Sequence, residues 1–308
     1  MLHYYVKKSY NEEPQLTKEP PTDHGWVYGA TLTNDEIAQL AQQYSLDTGI
    51  LRDVHDTYEL PRAEYSQSVL YMFIRIPHQT ASGNVASMPF LAILNGSLLL
   101  TISTKEYVTP STLFDHTNIT MKDTRMIFLH LISYVTELYE GFIHKTGKYI
   151  YSTEQRLHTH EVDNTDFINF VTVEHDLNEY HTNLSALQAL LKRLHDNNHA
   201  LFTDDDCEFI DDMSLHVNQL LVATESHKNT ITSIRNAYTT ISNNTLNQRM
   251  KKLTLLTLLV ALPNVFFGMF GMNVALPFAD QPWAYGFITG FSIIIVVAVV
   301  ILVRKMRF

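Results

Sequence analysis

A long uncharged run near the C-terminus constrains the fold of this chain more than any other feature. No charged residue occurs from Leu253 to Phe270, and roughly 18 apolar residues are enough to cross the ~30 Å hydrocarbon core of a bilayer as a helix. A second apolar run extends from Trp283 to Val303. Because a spanning segment must satisfy its own backbone polar groups, the two runs predict a transmembrane hairpin of two helices.

Charged residues next to these runs predict the orientation of the hairpin. Basic residues stand at its two outer ends, Arg249, Lys251 and Lys252 before the first run and Arg304, Lys305 and Arg307 after the second. The connecting loop, Val274 to Pro282, contains Asp280 and no Lys or Arg. The positive-inside rule therefore places both termini in the cytosol and the loop outside, in a multi-pass protein of the cell membrane.

The tripeptide Gly271-Met272-Asn273 closes the first run and precedes the short loop, the second run and a basic tail. In this position it resembles the signature of the CorA family of magnesium channels. The resemblance covers the whole chain. It implies a homopentameric funnel with an α+β cytosolic domain, a long stalk helix and a two-helix transmembrane hairpin. It also implies Mg²⁺ transport, with Co²⁺ and Ni²⁺ as further ions of similar hydrated size.

The rest of the chain divides by pattern into segments that match this plan. Residues 1–115 predict a cytosolic α/β domain, residues 116–202 a cytosolic helical hairpin, and residues 203–273 the stalk together with the first transmembrane helix. An external loop at 274–282 and a second transmembrane helix with a basic tail at 283–308 complete the chain.

Strand and turn signals support the α/β prediction. Alternating β-branched and aromatic residues predict strands in the first domain, and Asn95-Gly96 between Ala86–Asn95 and Ser97–Ser103 predicts a hairpin. Thr33 ahead of acidic residues predicts a helix start. The charged segment from Leu51 to Glu64 is interpreted as a solvated edge.

The stalk prediction depends on what the sequence lacks. No proline or glycine occurs from Thr203 to Leu262, while apolar residues recur at helical spacing. A helix over this range would be roughly 100 Å long at 1.5 Å per residue. Since a helix of that length is not stable alone, it must bundle, and copies of itself around a symmetry axis are the expected neighbours.

A pore requires one polar face on the first membrane helix. Counting back from Asn273 at helical spacing gives Asn247, Met250, Leu253, Thr254, Thr257, Ala261, Asn264 and Gly268. Asn264 is informative because an amide facing lipid is costly, so it either lines water or bonds another helix. Pro263 beside it predicts a local kink.

The resemblance assigns the selectivity filter to Gly271, Met272 and Asn273. In that assignment a ring of Asn273 carbonyls accepts hydrogen bonds from the hydration shell of Mg²⁺, an ion that sheds water reluctantly. Gly271 permits a tight turn and Met272 packs behind the filter. Leu253 and Met250 could form a hydrophobic gate near the cytosolic mouth, or could simply pack.

Regulation by cytosolic Mg²⁺ is a further implication of the family. The acidic site at this distance before the pore corresponds to Asp212, with Asp211 as its close competitor, while Asp204, Asp205 and Asp206 fit a helix cap. The partner carboxylate of the family is missing after the strand that ends near His78, and His78 is only a candidate substitute. Many family members also have a Met-Pro-Glu-Leu stretch after the tripeptide, where this chain has Val274 to Asp280 with Asp280 as its one acid.

Composition limits the other function classes. The formal net charge is −10, which argues against nucleic acid as a partner. The histidines do not form a recognised zinc motif, although a related branch of the family moves Zn²⁺, which keeps Zn²⁺ as an alternative ion. An enzyme is not predicted, because no nucleotide-binding loop occurs. A membrane-anchored cytosolic sensor or a structural scaffold remains open as an alternative.

Overall fold

The structure is a computed structural model that describes residues 2–6, 15–22, 24–81, 83–106, 108–110, 112–113, 123–158, 164–196, 199–272 and 281–305. It divides into two compact units, Met1–Arg235 and Asn236–Phe308.

A mixed sheet organises the first unit. Over the described residues it has seven strands in the order β2-β1-β3-β7-β6-β5-β4. The strands are β1 (Leu2–Val6), β2 (Gln15–Thr17), β3 (Gly25–Ala30), β4 (Arg62–Ser66), β5 (Val69–Gln79), β6 (Val85–Asn95) and β7 (Leu98–Ser103). Neighbouring strands are antiparallel except β3 and β7, which are parallel.

Helices cover both faces of this sheet. The short helices α1 (Asn34–Tyr44) and α2 (Thr48–Arg52) pack on one face. The long helices α3 (Thr124–His158), α4 (Asn164–His195) and the beginning of α5 (Asp204–Phe270) pack on the other. Because successive strand residues point to opposite faces, Met72 of β5 joins the second core and Tyr71 joins the first. The α/β prediction for this region is confirmed.

The predicted helix start and hairpin are also confirmed. Thr33 and Glu36 form a capping box, in which the Glu36 amide donates to Thr33 Oγ1 at 3.3 Å and the Thr33 amide donates to Glu36 Oε2 at 2.8 Å. In the β6–β7 hairpin, Asn95 pairs with Leu98, so the loop residues are Gly96 and Ser97. Gly96 has φ 59°, a left-handed conformation that glycine adopts without steric cost.

The segment interpreted as a solvated edge is an ion-pair cluster in the structure. The Arg62 guanidinium contacts Asp53 at 2.6 Å, Glu64 at 2.9 Å and Glu59 at 3.0 Å, and it lies 4.8 Å from the centroid of the Phe73 ring. One planar group with several donors can serve more than one carboxylate, which is why a single arginine holds this part of the sheet edge together.

Side-chain contacts attach α5 to α3 and α4 within the first unit. Arg235 Nη1 lies 2.8 Å from Glu174 Oε2, and the Gln188 amide donates to Ser214 Oγ at 2.6 Å. His216 Nε2 lies 3.3 Å from Glu140 Oε2 of α3. The part of α5 that belongs to the first unit is therefore fixed to α3 and α4.

The second unit contains the rest of α5 and α6 (Ala284–Lys305). The less exposed residues of α5 in its membrane run recur at three- and four-residue spacing as Leu255, Leu259, Leu262, Pro263 and Phe266. Phe266 meets Phe291 of α6 edge to face, with ring centroids 5.5 Å apart. The two helices therefore pack as a hairpin through this stripe.

Three described helices are long and apolar enough to span a membrane, judged by length and composition: Thr124–Leu157, Asp204–Met269 and Ala284–Ile301. Half of the apolar window of the first is buried inside the structure, compared with 0% and 6% for the other two. The apolar surface of α3 is thus largely used by the core of the first unit, whereas α5 and α6 present apolar surface that a bilayer or other subunits could cover.

Candidate functional site

The predicted pore-lining residues all lie on the exposed surface of α5 in a single chain. They are Asn247, Met250, Leu253, Thr254, Thr257, Ala261, Asn264 and Gly268. At 3.6 residues per turn, these positions fall on the side of the helix opposite the stripe that packs against α6. The hairpin therefore leaves this face, called here the pore face, uncovered.

The pore face contains polar residues but no charge. Asn247 lies at one end and Asn264 near the other, with Thr254 and Thr257 between them. The basic residues that precede the membrane run do not belong to the series, because positions 249, 251 and 252 fall between its members at helical spacing. Such a surface offers dipoles to an ion without presenting a fixed positive charge to it.

Both threonine hydroxyls on this face are hydrogen-bonded to their own helix. Thr254 Oγ1 donates to the Met250 carbonyl at 2.9 Å, and Thr257 Oγ1 donates to the Leu253 carbonyl at 2.9 Å. This satisfies each hydroxyl proton within the helix, as serine and threonine commonly do in membrane helices. The Asn264 side chain is exposed beside Pro263, which lies inside the helix.

The described part of the predicted filter ends with Met272. The Gly271 amide donates to the Phe267 carbonyl at 3.0 Å and, at 3.3 Å, to that of Gly268, which tightens the last turn of α5. A Cβ at Gly271 would lie 3.2 Å from the Phe267 carbonyl oxygen, so a larger residue would crowd this turn. Asn273 and Asp280 lie outside the described residues.

The acidic residues proposed for regulation are on α5 of the first unit. Asp212 is exposed, and Asp211 Oδ2 lies 3.3 Å from His195 Nε2 of α4. Within the described ranges, no three His, Cys, Asp or Glu side chains are grouped as metal ligands would be. A site that uses Asp212 would therefore need ligands from another copy or from water.

Within the Asp triplet, Asp206 takes part in the cap at the start of α5, together with Thr203. The Thr203 amide donates to Asp206 Oδ2 at 2.8 Å, and the Asp206 amide donates to Thr203 Oγ1 at 3.3 Å. Asp206 is buried, and its Oδ2 lies 3.8 Å from Arg125 Nη1. These contacts agree with the capping interpretation of the triplet.

A half-buried polar network near His78 could not be found from the sequence. Ser87 of β6 donates to Glu179 Oε1 at 2.5 Å and accepts from Arg75 Nε at 2.7 Å and Asn183 Nδ2 at 3.2 Å. Burial, and then the nearby Lys105, lower the pKa of His78, while Glu179 acts in the opposite direction. The members of this network come from strands and a helix about 100 positions apart in the chain, so no local sequence pattern indicates the network.

Histidines occur beside acidic residues at two places in the chain, and in the described residues they do not form a metal site. Glu174 is bonded to Arg235, and His175 Nε2 lies 3.9 Å from Glu179 Oε2. The cluster at His158, His160 and Glu161 lies outside the part whose side chains are described.

Comparison with known proteins gives the family. The sequence model of the family described as CorA-like Mg²⁺ transporter protein matches residues 23–305. The cobalt/magnesium transport protein CorA of Methanocaldococcus jannaschii is 22% identical over 304 residues, which cover 95% of this chain and 94% of that protein.

Solved structures agree in fold. The complete structure of the CorA magnesium transporter from Methanocaldococcus jannaschii has a TM-score of 0.83 at 19% identity and covers 99% of this chain and 98% of that one. The full-length CmaX protein has a TM-score of 0.77 at 15% identity, with 99% and 97% covered. The α+β domain, the long helix and the C-terminal helix pair are therefore a shared architecture, and because the family model spans most of the sequence, the chain belongs to the CorA-like Mg²⁺ transporter family.

Proposed function

We propose that this protein is a divalent cation channel that carries Mg²⁺ passively into the cell and is gated by cytosolic Mg²⁺. It acts as a transporter and not as an enzyme. The observation that carries the proposal is the pore face of α5, which is polar, uncharged and exposed on the side opposite α6. A hairpin that served only as an anchor would not need a line of amides and hydroxyls within its membrane run.

One hairpin cannot enclose a pore, so several copies must surround it. We propose a homopentamer, as the family resemblance implies, with the pore faces directed to the symmetry axis and membrane lipid around the outside. Both termini are then cytosolic, with two spanning helices per chain in the cell membrane. The segments 1–115, 116–202, 203–273, 274–282 and 283–308 are the proposed structural divisions.

The ion would pass without ATP, because the membrane potential drives it. Each charge gains about 2.3 kcal/mol per 100 mV, so a divalent ion gains about twice that on entry. A ring of Asn273 side chains, supported by Gly271 and Met272, would hold the hydrated ion at the outer end. Neutral carbonyls are suited to this task, because they accept hydrogen bonds from the ion's water shell without removing it.

Closure would involve the cytosolic half of the pore face. Rings of Leu253 and Met250 could exclude water from a narrow pore. Mg²⁺ bound at Asp212, or at Asp211, would hold the cytosolic parts of neighbouring copies together and keep the pore closed. His78 is retained only as a candidate second ligand.

Magnesium influx into liposomes tests the proposal. Purified wild-type protein and Asn273→Ala are reconstituted under an inside-negative potential, and Mg²⁺ entry is followed with an enclosed indicator. We expect influx in the wild type and its loss, or loss of ion selectivity, in the variant. Equal influx in both would overturn the asparagine-ring mechanism. Absence of influx of any ion in the wild type would favour the membrane-anchored sensor instead.

Cobalt is the second ion that a specific observation favours. The curated relative is named a cobalt/magnesium transport protein, and Co²⁺ is therefore expected to enter this channel as well. Parallel assays with Co²⁺, Ni²⁺ and Zn²⁺ decide between a magnesium channel that admits them and a transporter whose main cargo is another ion. Faster saturable entry of Zn²⁺ than of Mg²⁺ would favour the zinc alternative.

A further inference from the structure

The two threonines of the pore face share an arrangement that affects which hydrogen bonds they can make. Each hydroxyl gives its only proton to a backbone carbonyl one turn earlier, Thr254 to Met250 and Thr257 to Leu253, both at 2.9 Å. A hydroxyl oxygen keeps acceptor lone pairs after its proton is used. Toward the uncovered side of the helix, both oxygens can therefore act only as acceptors.

Acceptor-only oxygens match the surface of a hydrated cation. Water molecules around Mg²⁺ direct their oxygens to the metal and their hydrogens outward, and the ion gives up these waters reluctantly. The outer surface of the shell thus consists of donors. A hydrated anion presents water oxygens outward and finds no donor in these threonines. Since Thr254 and Thr257 are three residues apart, their levels differ by about 4.5 Å along the helix, which lets one hydrated ion contact both.

We propose that Thr254 and Thr257 form a second binding position for the hydrated divalent cation, in the half of the pore nearer the basic flank. Their oxygens accept hydrogen bonds from the first-shell waters of the ion. This inference rests on the proposed channel function and adds a specificity-determining pair to it. It also limits the extent of the hydrophobic gate, because the polar levels of Thr254 and Thr257 begin where the apolar levels of Met250 and Leu253 end.

A threonine elsewhere in the same hairpin provides a matched control. Thr289 of α6 makes the same kind of bond, with its Oγ1 donating to the Tyr285 carbonyl at 2.9 Å. It lines a cavity of about 180 Å³ that also contacts Pro263 and Phe267, on the side of α5 away from the pore face. The backbone bond alone is therefore common to both places, and only the position on the pore face distinguishes Thr254 and Thr257.

The test compares valine and serine substitutions in the full-length protein. Thr254→Val and Thr257→Val keep the shape of the side chain and remove the oxygen, whereas Thr257→Ser keeps the oxygen. Mg²⁺ influx into liposomes is measured against external Mg²⁺, and assembly is checked by native mass spectrometry. The loss of hydrogen bonds worth about 1.4 kcal/mol corresponds to about a tenfold change in an equilibrium constant. We therefore expect Mg²⁺ influx through the double valine variant to be about tenfold lower than through the wild type.

Thr289→Val is expected to stay within about twofold of the wild type, a difference below 0.5 kcal/mol by the same conversion. Thr257→Ser, which keeps the oxygen, is expected to conduct Mg²⁺ faster than Thr257→Val. The proposal is overturned if the double valine variant conducts like the wild type, or if Thr289→Val loses as much. Should the double variant fail to assemble, Thr257→Ala decides by the same criterion. A wild type that admits no divalent cation overturns the proposed function itself, and that result is distinct because every variant is then silent.

Discussion

Asp176 of α4 is a buried carboxyl with an unusual proton affinity. Its side chain is 8% exposed, and within the described residues Oδ1 has no hydrogen-bond partner. Burial raises its pKa to about 6, with Glu179 acting in the same direction, while His175 and the Val85 amide act against it. An ionised carboxylate at this position is costly because one of its oxygens is not solvated.

The sign of the resulting pH dependence follows from the raised pKa. Between pH ~4, where an unfolded Asp titrates, and pH ~6, the folded state binds the proton that the unfolded state has released. The contribution of Asp176 is therefore fully present at low pH and is lost as the pH rises through about 6. In Asp176→Asn this dependence is absent. We expect the free energy of unfolding of the variant, taken relative to that of the wild type, to be about 2 kcal/mol higher at pH 7.5 than at pH 4.5.

Thermal unfolding of the detergent-solubilised protein at these two pH values measures the stability difference between the variant and the wild type. Glu137→Gln is the control, because Glu137 is exposed and the substitution changes the net charge equally. The same stability difference between Asp176→Asn and the wild type at both pH values would contradict the prediction.

The turn between β4 and β5 stores conformational strain. Gln67 and Ser68 have φ of 50° and 67°, and Ser66 pairs with Val69 around them. A two-residue hairpin of this kind favours Asn-Gly, because both central residues are left-handed. Ser68→Gly is expected to raise the free energy of unfolding by about 1 kcal/mol. Urea denaturation measures it, and an unchanged or lowered midpoint would show that the turn is not strained.

This turn also shows a limit of prediction from sequence. Gln-Ser carries no turn signal, so β4 was not predicted, although Asn95-Gly96 correctly marked the β6–β7 hairpin. The pairing of β4 with β5 and the burial of Ala63 determine the strand, and both are tertiary effects. The raised pKa of Asp176 could not be predicted from the sequence either, because its main cause is burial, which only the folded chain establishes.

At the scale of elements, close packing between α3 and α5 depends on Gly147. A Cβ placed there would lie 2.7 Å from His227 Nε2 and 2.9 Å from His227 Cε1. Burial, and then His144, lower the pKa of His227, which favours the neutral form of the ring beside the glycine. The two helices approach closely at this point because no side chain separates them.

Alanine substitutions on α3 test this contact. Gly141 is a matched control on the same helix, since a Cβ there meets nothing within 4 Å. Glycine to alanine in a helix interior stabilises by about 0.5–1 kcal/mol when the space is free, so Gly141→Ala should raise the unfolding temperature. Gly147→Ala must displace the ring, and overpacking of this kind costs about 1–3 kcal/mol. We expect a lowered unfolding temperature.

A second variant separates the clash from other effects. In a His227→Ala background the new methyl group has room, and Gly147→Ala should then stabilise as Gly141→Ala does. If Gly147→Ala stabilises the wild-type protein as much as Gly141→Ala does, the ring moves freely and the contact has no structural importance.

Elements with strong local patterns were predictable for physical reasons. The absence of proline and glycine from 203 to 262 gave the long helix, which the structure has as Asp204–Phe270. The spacing of apolar residues likewise indicated α3 and α4. Short elements such as β2 and α2 lack a full period of any pattern, and their formation depends on pairing and burial that only the folded chain supplies.

At the scale of the whole molecule, two faces of α5 have different expected surroundings. The stripe that contains Leu259 and Phe266 packs on α6, and the pore face lies opposite it. Residues between these two faces, such as Leu256, are 59% exposed in one chain and would meet lipid or a neighbouring copy. The pore face was predicted from the sequence by counting back from Asn273, and its exposure to water in the assembled protein stays a prediction.

Cysteine accessibility can make that distinction in the assembled protein. Cys207 is the only cysteine, so Cys207→Ser gives a thiol-free background. Ala261→Cys on the pore face is expected to react with a membrane-impermeant, charged thiol reagent when the channel is open, because a water-filled pore delivers the reagent and stabilises the thiolate. Leu256→Cys is the control, since lipid or protein surrounds this position and suppresses both reagent access and thiolate formation.

The expected result is modification of Ala261→Cys at least about tenfold faster than of Leu256→Cys, since the two thiols differ in access to water and in thiolate fraction. Mass spectrometry of the full-length protein in liposomes measures both rates, and modification of Ala261→Cys should also reduce Mg²⁺ influx. Addition of cytosolic Mg²⁺ should slow the reaction if that ion closes the pore. Equal rates at the two positions would place the face at 261 against lipid or protein, and the pore axis would then have to lie along another side of α5.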